Sequence, residues 1–140
     1  MESEGATILY SGGRLHERGV GIILGKEAAR TKLSWEPISD RIITARIQTR
    51  FTKATIVEVY APTNTAEDEE RERTTTGVLD EIPGHDMKIL MGDFNAQIGA
   101  DRSGWEEVMG GMAKGERSDN GERLLDLCNS HKLKIGGSFF

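Results

Sequence analysis

The sequence holds one cysteine and three prolines in 140 residues, with two Trp, two Tyr and four Phe. No apolar run approaches the ~20 residues that a bilayer-spanning helix needs, which excludes a helical membrane protein. A lone Cys128 excludes an internal disulfide framework. The opening Met1-Glu2-Ser3-Glu4-Gly5 carries neither the basic nor the apolar stretch of a signal peptide, so an intracellular, reducing location is expected. Positive charge is also scarce: 18 Lys and Arg stand against 23 Asp and Glu, a formal charge of −5. That balance argues against a protein whose whole surface grips nucleic acid, because such affinity comes from Lys and Arg displacing counterions.

Glycine, by contrast, is plentiful at 17 residues, which implies many tight turns around a modest core rather than a helix bundle. The length suits one domain over residues 1–140. The charge is unevenly spread. Residues 11–53 hold nine basic and four acidic side chains, whereas residues 54–140 hold nine and seventeen. The first segment suits phosphate and the second suits cations.

Local patterning predicts short strands over residues 6–10 (ATILY) and 19–24 (GVGIIL), joined by glycine-rich punctuation that includes His16. Residues 26–33 read as a turn of helix that Pro37 stops from extending. Alternation then predicts strands over 41–49 and 55–61, the second with Val57 and Val59 on one face and Ile56, Glu58 and Tyr60 on the other. Residues 65–77 are polar with helical i,i+4 charge pairs, and Val78, Leu79 and Ile82 form an apolar stripe before Pro83-Gly84. Residues 87–94 (MKILMGDF) are the strongest strand. A glycine-rich connection over 99–118 follows, of the length that more often serves function than mere linkage. Asp119 with Glu122 reads as a capping box for a helix whose apolar face includes Leu124, Leu125, Cys128 and His131. His131 is expected to pack there, and residues 132–135 begin a last strand before Phe139 and Phe140. Hairpins followed by helices favour an α+β or layered α/β architecture.

In a strand over 87–94, Ile89 and Met91 share a face with Asp93 and Asn95, so an apolar stripe ends in a carboxylate and an amide. A carboxylate there can hold a hard cation or take a proton from water, and an Asn can hold a phosphate or ion without adding charge. The same two residues are also common turn formers after a strand, and both readings stand on spacing alone. Tyr60, at the end of its strand, can donate to a phosphoryl oxygen, with Thr63 and Asn64 adding donors from the turn. An ordinary strand tyrosine with its hydroxyl in water is the alternative.

Together the Tyr-Ala-Pro-Thr strand end and the later Met-Gly-Asp-Phe-Asn-Ala resemble the endonuclease/exonuclease/phosphatase family. The stretches GVGIIL at 19–24, DRIITAR at 40–46 and NGERLL at 120–125, running to Ile135-Gly136-Gly137, look like the endonuclease domain of non-LTR retrotransposons. That resemblance runs from about Thr7 to Phe140. It implies a mixed α/β fold, part of a four-layer α/β sandwich of the DNase I-like, abasic-endonuclease type, with the site at the top of two packed sheets. By resemblance Asp93 orients or deprotonates the attacking water, Asn95 contacts the scissile phosphate or the metal, and Tyr60 hydrogen-bonds the phosphate. Mg²⁺ or Mn²⁺ would be the cofactor, with Asp93 and Asn95 as its ligands here, and no organic cofactor is implied. DNA would be the partner, and the nucleus the place of action. The basic strip, with Arg14, Arg18, Lys26 and Lys53 as exposed members, would lie along the nucleic-acid backbone, a solvated surface being the other reading.

The family also uses a metal-ligand Glu near the start of the domain and a late Asp–His pair, and no motif here matches either. The chain is therefore expected to be a fragment truncated at both ends and inactive alone, with Phe139 and Phe140 lacking a surface to pack on. A non-catalytic binding module of the same fold, or a phosphatase of the same family, are the alternatives to a DNA phosphodiesterase.

Overall fold

The computed structural model describes residues 2–3, 5–12, 19–60 and 74–140. These fall into two compact units, residues 1–61 with 77–93, and residues 62–76 with 94–140. The first carries both sheets of a mixed α/β fold.

Strands β1 (Glu2–Ser3), β2 (Ala6–Gly12) and β3 (Gly19–Leu24) form an antiparallel sheet in that order. Its inward positions alternate as expected: Leu9, Val20, Ile22 and Leu24 are buried and Ile23 is exposed. After the short helix α1 (Lys26–Arg30), strands β4 (Lys32–Ser39), β5 (Ile42–Gln48), β6 (Lys53–Tyr60) and β7 (Met87–Asp93) form the second sheet, ordered β4-β5-β6-β7. The first three of these pair antiparallel and β7 joins β6 in parallel. The inner face of the first sheet packs on Ile43 and Ala45 of β5, with Ala28, Ala29 and Ile56 at the margin. The Ser11 hydroxyl donates to the Ser39 carbonyl as a further link between the sheets.

The helix stops at Arg30, short of the residue 33 expected, and strand β4 follows from Lys32 and runs through Pro37, the residue expected to keep the helix from extending. The strand lies at the edge of the described sheet, where a missing N–H leaves no ladder bond unmade. Residues 74–81 are helical (α2), ending before Pro83; the polar stretch 65–73 lies outside the described residues.

Directly paired residues share a sheet face, so the ladders sort the side chains. Ile43, Ala45, Ile56, Glu58, Tyr60, Ile89, Met91 and Asp93 lie on the face toward the first sheet, and Thr44, Arg46, Thr55 and Val57 on the opposite one. On that opposite face Arg46 Nε and Nη2 donate to the Asp86 carboxylate at 2.8 and 2.9 Å, and Thr55 Oγ1 donates to it at 2.7 Å. These partners hold Asp86 well below the ordinary carboxylate range, at about 2, with the Arg46 bonds the largest cause.

The second unit is built on α3 (Asp119–Ser130). Val108, Met109, Leu125 and Cys128 are buried together, flanked by Ile98, Trp105, Leu124, Leu133 and Ile135. The loop 99–118 thus contributes its own apolar residues to the core, and the Arg117 guanidinium stacks 5.8 Å from the Trp105 ring centre. Burial pushes the Cys128 thiol up to about 11.

Three expectations are corrected in this unit. The cap of α3 is Ser118, whose hydroxyl accepts from Gly121 N at 3.0 Å, one residue before the Asp119 expected. His131 does not join the apolar cluster: it ends the helix, its Nδ1 3.0 Å from the Leu127 carbonyl oxygen. Residues 132–135 form no strand. Ile135 N bonds Val108 O at 2.8 Å, Leu133 and Ile135 pack on the core, and a 3₁₀ turn at Gly136–Ser138 follows. Phe139 also finds a surface, since a Cβ at Gly110 would fall 2.7 Å from its Cδ1, whereas Phe140 is 94% exposed.

Candidate functional site

Tyr60 and Asp93 are the last residues of β6 and β7, and they are register partners in the parallel ladder. Neighbouring strands lie about 4.8 Å apart, so phenol and carboxylate project side by side from one face at the carboxyl ends of two strands. Both are exposed, Tyr60 at 40%. The end of β6 is fixed further by Tyr60 N, which donates to Arg41 O at 2.9 Å.

The approach of the two strands depends on Gly92. Its φ is +144°, and a Cβ there would lie 1.9 Å from the Val59 carbonyl oxygen. Only glycine lets β7 come this close to β6 immediately before Asp93. The glycine of the Gly-Asp-Phe-Asn motif therefore positions the carboxylate, a role that a glycine inside an otherwise regular strand pattern could have signalled.

Two residues before Tyr60 on the same face stands Glu58, paired with Met91. Partial burial raises its carboxyl pKa above the ordinary value. Sequence reading places Glu58 on this face but gives it no role. Met87, Ile89 and Met91 of β7 are 49%, 37% and 44% exposed, so the stripe leading to Asp93 is an open apolar surface.

Asn95 belongs to the second unit, two residues along the chain from Asp93. Its φ of +45° is the left-handed conformation that asparagine tolerates better than other side-chain-bearing residues. Thr63, Asn64, Arg14 and Arg18 lie outside the described residues, as does His16. Lys26 and Lys53 of the basic strip are exposed, as expected.

Among the described residues no three His, Cys, Asp or Glu side chains gather as a metal cluster. Mg²⁺ is often held by only one or two carboxylates, with water and substrate phosphate completing the octahedron. The Asp93 carboxylate of the first unit is a hard donor of that type, and so, taken by itself, is the Asn95 amide oxygen of the second. Separately, a cleft of about 260 Å³ lined by Glu36, Thr44, Arg46, Thr55, Glu81 and Ile82 opens on the sheet face opposite Tyr60 and Asp93. Among the described residues no helix is long and apolar enough to cross a membrane.

No family model matches the chain. It is 28% identical over 144 residues to craniofacial development protein 2 of Tragulus javanicus and to that of Bos taurus. Those alignments take in 100% of this chain but 25% and 24% of the two proteins, so the chain spans about a quarter of the length of the curated relatives it matches. Among solved structures it superposes on the endonuclease domain of TRAS1, a telomere-specific non-LTR retrotransposon, with a TM-score of 0.64 and 18% identity. That match covers 92% of this chain and 53% of the other. The two sheets and three helices of the described residues and this superposition agree with the resemblance carried by the Tyr60 and Asp93 motifs: the chain has the DNase I-like endonuclease fold, in the form seen in a non-LTR retrotransposon endonuclease domain.

Proposed function

We propose that residues 1–140 are part of one divalent-metal-dependent endonuclease domain that hydrolyses DNA phosphodiester bonds, of the retrotransposon target-nicking type. The observation that carries this reading is the pairing of Tyr60 with Asp93 at the carboxyl ends of adjacent parallel strands. Hydrolysis of a phosphodiester needs a water aligned with the leaving oxygen and donors for the equatorial phosphoryl oxygens. Asp93 orients that water and accepts its proton. Tyr60 donates its hydroxyl hydrogen to a phosphoryl oxygen, and Asn95 contacts the phosphate or the cation. The water oxygen forms a bond to phosphorus as the bond to the leaving sugar oxygen breaks. A Mg²⁺ or Mn²⁺ ion held by Asp93 and Asn95 would supply positive charge at the phosphate. Thr63, Asn64, Arg14 and Arg18 would hold the flanking backbone, and a DNA substrate places the reaction in the nucleus.

Only Asp93 and Glu58 supply carboxylates on the described face, and no motif matches the family's early Glu or late Asp–His pair, so the 140-residue chain is expected to bind without efficient turnover. The test combines Mg²⁺-dependent nicking of supercoiled plasmid with binding of a labelled duplex, with and without Ca²⁺ as a non-cleaving cation. A cation-dependent gain in duplex affinity that disappears in Asp93→Ala is the expected result. Nicking that survives Asp93→Ala, or a cation effect indifferent to it, overturns the assignment.

A further inference from the structure

The segment leading away from Asp93 is gripped by the start of α3. Asn120 Nδ2 donates to the Asn95 carbonyl oxygen at 3.2 Å. The Ser118 hydroxyl accepts from Gln97 N at 3.0 Å, and Ser118 N donates to Gln97 O at 2.9 Å. Arg117 Nε donates to Ile98 O at 2.8 Å. Gly121 lets the two backbones meet, since a Cβ there would lie 1.8 Å from Gln97 O. Four consecutive positions of α3 and its cap, 118–121, thus include two that bond residues 95–98 and one that makes room for them.

These bonds do more than fasten a loop. Asn95 holds a φ of +45°, a left-handed conformation that asparagine tolerates as a single residue and that its surroundings must fix to be held uniquely. Its carbonyl oxygen accepts from the amide of Asn120, which stands at the second position of a twelve-residue helix. A rigid helix end is a better reference point for a reactive side chain than a free loop is.

We propose that Asn120 is a positioning residue: its amide fixes the backbone of Asn95 in the left-handed conformation, and Ser118 and Gly121 complete the clamp that sets where the Asn95 side chain points. This rests on the reading of Asn95 as a phosphate or cation contact. Asn120 itself touches neither substrate nor cation.

The test is a double-mutant cycle in the 140-residue chain, reading the Ca²⁺-dependent gain in affinity for a labelled DNA duplex. Asn120→Ala is expected to cut that gain about fivefold, the size of one lost hydrogen bond. In an Asn95→Ala background the same substitution is expected to have no further effect. An equal loss in both backgrounds makes Asn120 merely structural and overturns the proposal, as does an unchanged gain in Asn120→Ala.

A second readout separates the clamp from the function. Asn120→Asp keeps the shape and suits a helix N-terminus, but at neutral pH it has no hydrogen to donate. The clamp requires the backbone carbon shifts of Asn95, which report its left-handed φ, to move in this variant, and shifts that stay put overturn it. If Asn95→Ala leaves duplex affinity untouched while those shifts move in Asn120→Asp, the clamp stands and the role given to Asn95 falls.

Discussion

At Gly92 a single missing Cβ decides whether two strands can end side by side. Alanine there meets the Val59 carbonyl and must hold a φ of +144°, so Gly92→Ala is expected to destabilise the protein by about 1–3 kcal/mol from backbone strain alone. A lower urea midpoint with an unchanged slope is the measurement that checks it. Asp86 gives a pH-dependent prediction. Its folded pKa, about 2, lies below the ordinary carboxylate value of about 3.9, so the stability it contributes is fully present above the latter and is lost as pH falls through the former. Acid titration of the melting temperature should therefore decline between about pH 4 and pH 2, and Asp86→Asn should flatten that limb while lowering stability at neutral pH. The residues that matter here were unevenly legible. Tyr60, Asp93 and Asn95, the residues of the proposed site, stand in short motifs that can be picked out of the sequence by residue type. Gly92 interrupts a regular strand pattern, a signal the sequence does carry, whereas the Asn120–Asn95 bond joins residues 25 positions apart and appears only when the chain is folded.

Elements were easiest to read where hydrophobic alternation met an ordinary sheet environment. β3 alternates buried with less buried positions, and β5 and β6 alternate buried with half-buried ones over most of their length, so their period was visible. β4 was not, because an edge strand with exposed Leu33, Trp35 and Pro37 has no apolar face to display. The expected terminal strand failed for the converse reason. Leu33 and Leu133 sit in similarly short apolar stretches, but residues 133–135 have one bond to Val108 in place of a ladder. At the start of α3 two carboxylates in Asp119 and Glu122 drew the cap one residue too late. The hydroxyl that caps the helix is Ser118, and Ser118→Ala is expected to cost about 1 kcal/mol, measurable as a shift in the thermal transition. The loss should exceed that of Ser130→Ala, whose hydroxyl only back-bonds to Asp126 O within the helix.

Over the whole molecule, charge is divided rather than uniform, and a net of −5 conceals a basic stretch at residues 11–53. Lys26 and Lys53 are exposed members of it. If DNA lies along this strip, log affinity falls linearly with log salt, and Lys53→Ala lowers the slope by about 1. A slope that does not change assigns Lys53 to solvated surface. The parallel ladder between β6 and β7 has a consequence in time as well as in space. Hairpins join β2 to β3, β4 to β5 and β5 to β6, whereas β7 reaches β6 only after an intervening chain that includes α2. Loop closure costs entropy before its contacts repay it, so this ladder forms after the hairpins do. Tyr60 and Asp93 are then expected to meet late in folding. A chain that has already collapsed and gained most of its sheet can still lack the Tyr60–Asp93 pair, and on refolding the cation-dependent gain in duplex affinity should return later than the sheet signal.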